Sequence, residues 1–336
     1  MSVDVLPSET SVMPVANPAA DLPASPRRIS LVARIANLIA VFVPFAALVL
    51  AIGSLWGRGV PWLDLWLMAG LYVATVLGIT VGFHRLFTHR SFETTRAVRL
   101  VLGLLRSMAV QGRLFKWVAL HRCHHQHSDD VRDPHSPHHY GRDVWSIPRG
   151  MWHSHVGWIF DPDPSELEHY VRDLGQDNTL RVVDKLFFAW VTLGLVTPAA
   201  IGGIVFRTWN GAFWAFVWGG LVRVLLVHHV TWSINFVCHL WGRRPYESGD
   251  ESRSNCLFGL LALGEGWHNT HHAFPTSSRH GLQWWQPDVS YWVIRTLAAV
   301  GLAWDLKLPT MQARQKKRVH PDRPPADECD GKEMRV

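Results

Sequence analysis

The chain has 336 residues but only four cysteines, Cys123, Cys238, Cys256 and Cys329, and none of them forms a CxxC pair. That spacing excludes a disulfide framework and a built-in iron–sulfur cluster. No GxGxxG follows a strand-like run, so a dinucleotide-binding unit is absent from the pattern as well. Several of the apolar runs lack charged residues along their length, which argues against an ion path through them. The first 26 residues are rich in Pro, Ala and Ser, without the basic-then-apolar build of a signal peptide. They read, with the next few residues to 30, as a disordered tail. A second polar and basic tail is expected over 310–336.

What is present is unusual in kind. Apolar residues make up 48% of the chain, and they are bunched into long runs. There are 18 Trp residues, a type favoured at membrane–water boundaries. Four runs reach the ~20 residues needed to cross a hydrocarbon core: 35–56, 62–83, 186–206 and 212–237. Their order predicts two helical hairpins with a long polar stretch between them, the whole domain covering 31–309. Arginines stud that stretch and both flanks, so the positive-inside rule puts both termini and the loop in the cytoplasm. The net charge of +6 then reads as a basic membrane-surface face rather than a nucleic-acid footprint. The shorter run Val98–Val110, broken by Arg106, is expected to lie at the interface or pack on the cytoplasmic part. The Trp-rich stretch Gly281–Trp304 is expected to form another interfacial helix.

Twenty histidines carry the chemistry. His84 and His89 end the second run. His121, His124 and His125 form an HxxHH group, and so do His268, His271 and His272. His239 ends the fourth run, four residues after Asn235. On a helix, positions i, i+3 and i+4 share a face, so each HxxHH group converges. The five-residue spacing of His84 and His89 suits no uniform α-helix and requires the backbone to turn at the helix end. A single loop histidine is more often solvated than ligating, but three spaced groups just beyond membrane runs are hard to obtain by chance. Nine imidazoles exceed the needs of one ion. Nitrogen-only ligation excludes calcium and magnesium and leaves iron, zinc, copper or nickel. The surplus of ligands at a membrane surface favours two redox irons with room for O2. Asp129, Asp133, Asp250 and Glu265 are placed to orient the imidazoles. His228 and His229, inside the fourth run, stay open between ligands and hydrogen-bonded bundle residues. Cys123 and Cys238 read as small packing residues.

The motifs HRLFTHR (His84–Arg90), HRCHHQHSD (His121–Asp129), NFVCHLWGRRPY (Asn235–Tyr246) and GEGWHNTHHAFP (Gly264–Pro275) resemble the membrane fatty acid desaturase family. DPHSP at Asp133 and SHVGW at Ser154 resemble its stearoyl-CoA (delta-9) branch, over roughly residues 35–305. The resemblance implies an all-α integral membrane fold with four spans and a cytosolic helical cap. It further implies a di-iron centre that uses O2 to place a cis double bond in a saturated C16 or C18 acyl chain. One iron would be bound by His84, His89, His121, His125 and His271. The other would be bound by His124, His239, His268 and His272, with Asn235 acting through a water. Gln111, Trp117 and Thr231 match positions that bend the family's acyl tunnel. Acyl-CoA is the favoured carrier, with a membrane lipid as the alternative, because Asp161 and Asp163 stand where animal relatives have basic residues. Electrons would come from an external ferredoxin, cytochrome b5-type protein or flavoprotein reductase. The nearest rivals are a di-iron hydroxylase of the same architecture and, more distantly, a zinc membrane protein.

Overall fold

The computed structural model describes residues 29–141, 143–164 and 167–319. Most of the expected N-terminal tail and the last 17 residues lie outside the described residues.

The chain is mostly helical. Ser30 caps α1 (Leu31–Arg58), its hydroxyl accepting from the Ala33 amide at 3.2 Å. Helix α2 (Trp62–Leu77) continues without a break into a π-helical stretch, Gly78–Thr88. Then come α3 (Arg96–Ser107), α4 (Leu114–His127), α5 (Ser146–His155) and a 3-10 turn at Gly157–Phe160. Helices α6 (Asn178–Lys185) and α7 (Phe187–Phe206) follow. Next, α8 (Trp209–Ala215), a π stretch (Phe216–Val222) and α9 (Arg223–Leu240) run as one rod. Helices α10 (Cys256–Leu261), α11 (His268–Ala273), α12 (Val289–Ala299) and α13 (Met311–Lys316) complete the order.

Four of these segments are long and apolar enough to cross a membrane: Leu31–Leu55, Trp62–Thr88, Phe187–Phe206 and Trp209–Leu240. They contain the four expected runs almost whole, and the second and fourth are longer than expected because their helices continue into the histidine motifs. The first and third remain largely uncovered by protein, with only 17% of each apolar window buried, as suits helices solvated by lipid.

Three expectations change. The chain is not wholly α-helical: β1 (Glu93–Thr94) pairs antiparallel with β2 (Ala303–Trp304). That pairing clips the chain after the second span to the segment after α12. The stretch Gly281–Trp304 is therefore only partly helical, and Tyr291 and Ile294 of α12 are buried. The C-terminal tail does not begin at 310. Thr310 caps α13 at 3.1 Å, the Glu247 amide donates to the Lys317 carbonyl at 2.7 Å, and the Val319 amide donates to the Pro245 carbonyl at 3.1 Å.

The core that positions the site lies at the end of the second span. Val81, Phe83, Leu86 and Phe87 pack against Leu102 of α3, Leu114 and Val118 of α4, Leu180 and Val183 of α6 and Ile294 of α12. Helix α3 is thus packed on the span end rather than laid on a surface, and Gly78 permits its approach. A Cβ there would sit 2.3 Å from the Arg106 amide nitrogen, so only glycine fits.

Candidate metal centre

The π-helical end of the second span answers the awkward spacing of His84 and His89. A π turn closes i→i+5 bonds, so positions five apart share a face. The His89 amide donates to the His84 carbonyl at 3.1 Å, and the Thr88 hydroxyl donates to the Phe83 carbonyl at 2.7 Å. The two imidazole centroids are 4.9 Å apart.

Two nests of ring nitrogens result. His84, His89, His121, His125 and His271 converge in one, and His124, His239, His268 and His272 in the other, with ligand atoms within 4.8 Å of one another in each. In the first, Nε2 of His271 lies 3.0 Å from Nε2 of His84 and 2.8 Å from Nε2 of His125, which is itself 3.1 Å from Nε2 of His121. In the second, the Nε2 atoms of His239 and His268 are 3.2 Å apart. Stacking of His125 on His272, with centroids 4.4 Å apart, joins the nests. Asn235 stands one turn before His239, and its Nδ2 donates to the Ser154 carbonyl at 3.4 Å.

The protonation chemistry suits ligands. Burial, reinforced by the neighbouring imidazoles, holds His89, His121, His125, His268 and His271 well below the usual imidazole range. These rings are neutral bases with lone pairs aimed at shared points. Nε2 of His89 and of His272 are buried with no hydrogen-bond partner. An uncompensated buried acceptor is costly, and a cation shared among converging lone pairs removes that cost.

Carboxylates hold the opposite ring nitrogens. Nδ1 of His124 meets both Asp133 oxygens at 2.9 Å. Nδ1 of His239 meets Asp129 at 2.9 Å, Nδ1 of His272 meets Asp250 at 2.6 Å, and Nδ1 of His84 contacts Glu265. All four acids expected to orient imidazoles do so. Burial opposes ionisation of Asp133 and Asp250, but the adjacent His124 and His272 outweigh it and hold both carboxyls far below the usual carboxylate range. Asp129 is lowered to about 2 in the same way, burial being overcome by His239.

Sequence reasoning passed over several residues here. His280 is fully buried against His271, centroids 4.5 Å apart, with Nδ1 3.7 Å from Glu265. His135 packs 4.5 Å from His124 and shares Asp133. Arg85, fully buried, ties Glu265 (3.2 Å) to Asp288 (2.9 Å). Lone histidines outside a spaced motif, or an arginine inside one, give no signal to single them out.

Trp117 stacks on His121 with centroids 5.1 Å apart and planes 10° apart. Trp117 and Gln111 line a cavity of about 1210 Å3. The Gln111 amide donates to the Thr231 hydroxyl at 2.5 Å, and Trp117 packs against His121 and His84 of the first nest. Three buried side chains hold the turn that presents Gln111. Arg106 donates to the Gln111 carbonyl at 2.7 Å, Arg223 to Met108 at 2.7 Å and Gly194 at 3.0 Å, and His228 Nε2 contacts the Ala109 carbonyl at 2.9 Å. Val110 in that turn has φ +61°, a strained conformation for a β-branched residue. The polar residues of the fourth span thus have a structural task, and His228 takes no part in either nest. His229 also lies outside them, with Nδ1 2.8 Å from Nε2 of His155. Cys123 and Cys238 are buried packing residues.

Four membrane-length helices and two imidazole nests that could hold metal ions define a membrane-associated protein with a candidate metal centre. The chain belongs to the fatty acid desaturase family, whose profile matches residues 61–305. It is 37% identical over 279 residues to a hex-5-enoyl-[acyl-carrier protein] acetylenase of Moorena producens, covering 82% of this chain and 87% of that one. It is 40% identical over 252 residues to an sn-1 stearoyl-lipid 9-desaturase of Synechocystis, covering 74% and 73%. An icosanoyl-CoA 5-desaturase of Limnanthes douglasii is 40% identical over 253 residues, covering 74% and 66%.

Proposed function

We propose that this chain is an O2-dependent di-iron desaturase that places a cis double bond at the delta-9 position of a saturated C16 or C18 acyl chain. The observation that carries the reading is the pair of all-nitrogen nests beside a cavity walled by Trp117 and Gln111. One iron would be held by His84, His89, His121, His125 and His271. The other would be held by His124, His239, His268 and His272, with Asn235 acting through a water. Bound there, the irons would supply activation of O2 and the oxidising power to remove two hydrogens from adjacent methylenes. The overall balance is acyl chain plus O2, two electrons and two protons, giving the unsaturated chain and two waters.

The residues of the chain do the rest. Trp117, stacked on His121, and the Gln111–Thr231 bond fix which carbons lie beside the nests, and positioning of this kind is worth several kcal/mol of barrier. Asp129, Asp133, Asp250 and Glu265 hold the ring tautomers. The electrons come from an external ferredoxin, cytochrome b5-type protein or flavoprotein reductase, since the sequence has no cysteine cluster or dinucleotide fingerprint of its own. The positive-inside distribution supports a topology of two hairpins with both termini and a cap around the nests in the cytoplasm, the folded domain extending past 309 through α13.

Delta-9 placement rests on the motifs shared with the stearoyl branch and on relatives named as 9-desaturases. Relatives naming an acyl-carrier protein, a CoA and a lipid substrate are of similar identity, so identity alone favours no carrier.

The test is the fatty acid profile of a desaturase-deficient host expressing the chain, beside a His124→Ala/His271→Ala variant. New cis-monounsaturated C16 or C18 chains, absent with the variant, are expected. Hydroxylated chains would replace the desaturase reading with the hydroxylase. One zinc per purified chain would sink both.

A further inference from the structure

Each of the first two histidine motifs carries an arginine directly after its leading histidine, Arg85 and Arg122. Arg85 bridges two buried acids, Glu265 and Asp288. Arg122, on α4, reaches back instead to the end of the π stretch. Its Nε donates to the Thr88 carbonyl at 3.2 Å, and one terminal nitrogen donates to the Phe87 carbonyl at 2.9 Å. The other terminal nitrogen donates to the Tyr170 carbonyl at 2.6 Å and to Asp173 at 2.8 Å. One guanidinium thus joins α4, the π stretch and the 3-10 turns at Leu167–Val171 and Leu174–Gln176. Asp173 is shared. Its second oxygen takes Arg90, the residue after His89, which stands in the left-handed region at φ +49°. The carboxylate therefore clasps the end of the first motif to the second.

These contacts bear on the residue that follows them. Phe87 and Thr88 are buried, and the closing carbonyls of a helical stretch find no partner within it. Arg122 supplies their donors. Further back the turn closes on itself, through the His89 amide on the His84 carbonyl and the Ser91 amide on the Arg85 carbonyl at 2.9 Å. His84 and His89 face one nest only while the turn keeps this wide register. In an α-helix, five residues turn through about 500°, so the second ring would point about 140° away from the first. In the second nest, carboxylates fix three rings from behind. Among the described residues no carboxylate meets a ring nitrogen of His89, so its placement falls to the backbone that Arg122 holds. The task suits arginine, whose planar fork meets several acceptors together, whereas a lysine is a point charge.

Taking the di-iron reading as its premise, we propose that Arg122, anchored by Asp173, is the positioning residue of the first nest. It holds the π turn closed and so keeps His89 on the ion shared with His84, His121, His125 and His271. Arg122 meets no ion itself. Being next to His121 on α4, it also fixes the first motif against the second, which supplies His121 and His125. The second nest draws no ligand from the first motif, so its ion does not depend on the clasp.

The experiment is iron binding by the purified full chain in detergent, comparing the wild type with Arg122→Lys, Arg122→Gln and Asp173→Asn. Each protein is loaded anaerobically with isotopically enriched Fe(II), titrated with a graded series of chelators and followed by Mössbauer spectroscopy. Both Arg122 variants should release the ion of the first nest 10–100-fold more readily, while the second ion keeps its step and its signal. Asp173→Asn, which leaves the carbonyl contacts and removes only the anchor, should shift the same step by less. Arg122→Lys keeps the charge and loses the fork, so wild-type binding by that variant would overturn the proposal. An equal shift of both steps, with a lower unfolding temperature of the metal-free protein, would assign Arg122 to the fold alone and overturn it too. A wild-type chain that takes up no iron would remove the premise and the proposal together, a result read before any variant is compared.

Discussion

The two nests differ in their supporting acids, and the difference makes a quantitative prediction. In the second nest, three of the four imidazoles have a carboxylate on Nδ1: His124 with Asp133, His239 with Asp129 and His272 with Asp250. In the first, among the described residues, only His84 has one, Glu265. Carboxylates on the far nitrogen fix ring orientation and raise ligand basicity, and losing one such partner typically costs 10–100-fold in metal affinity, or about 1.4–2.8 kcal/mol. The second nest should therefore hold its ion more tightly. Asp133→Asn is the sharpest perturbation, because Asp133 is fully buried and also accepts the backbone amides of Asp129 (3.0 Å) and His135 (3.1 Å). Iron per chain would be measured by mass spectrometry after equilibration against a graded series of chelators. The wild type should lose iron in two steps. The variant should shift the tighter step by 10–100-fold toward the weaker one, leaving the weaker step in place. A single step in the wild type, or an equal shift of both, would refute the reasoning. The unfolding temperature of the metal-free variant separates a lost ligand orientation from a lost fold.

Further expectations follow from the same geometry. His89, His121, His125, His268 and His271 are held below the ordinary imidazole range of 6.5 by burial, so the unfolded chain binds more protons. Stability of the metal-free protein should be complete above about pH 6.5 and fall steeply as the pH drops through the lowered values. Asp129, lowered to about 2 from 3.8, adds a loss between about pH 4 and 2. A thermal unfolding series in detergent that was flat between pH 7 and 5 would contradict this. Gly78→Ala should cost roughly 1–3 kcal/mol or prevent folding, since its Cβ meets the Arg106 backbone, and a wild-type unfolding temperature would disprove that contact. Thr231→Val removes one hydrogen bond to Gln111, worth about 1 kcal/mol. It should blur the double-bond position more than it lowers total product, as read by mass spectrometry of derivatised products. Arg223→Met leaves the Met108 and Gly194 carbonyls without their donor, a loss of roughly 3 kcal/mol that thermal unfolding would register.

Much of the architecture was legible because its physics is local. A run of about 20 apolar residues has few alternatives to a membrane-length helix, and the HxxHH spacing places three rings on one face whatever the surroundings. The carboxylates Asp129, Asp133, Asp250 and Glu265 could also be nominated, being close in sequence to histidine motifs, although Asp129 and Glu265 serve distant rings, His239 and His84. The spacing of His84 and His89 could not be resolved in advance. A π turn depends on the packing of the span end against α3 and α4, which local propensity does not encode. His280, His135 and Arg85 were equally invisible, since their roles come from segments far apart in the chain.

The sequence by itself determined the number of membrane-length helices, the nitrogen-only donor set and the family to which those motifs belong, because each depends on residue type at short spacing. The division of nine imidazoles into groups of five and four was implied by the resemblance and not by spacing, and the tertiary structure brings the same two groups of ring nitrogens together. The tertiary structure alone revealed that Arg106, Arg223 and His228 brace the turn bearing Gln111. Arg106 reaches Gln111 across five residues, while the other two braces span more than 100, His228 reaching Ala109 and Arg223 reaching Met108. Long-range packing decides such contacts, and no local pattern in the chain encodes them.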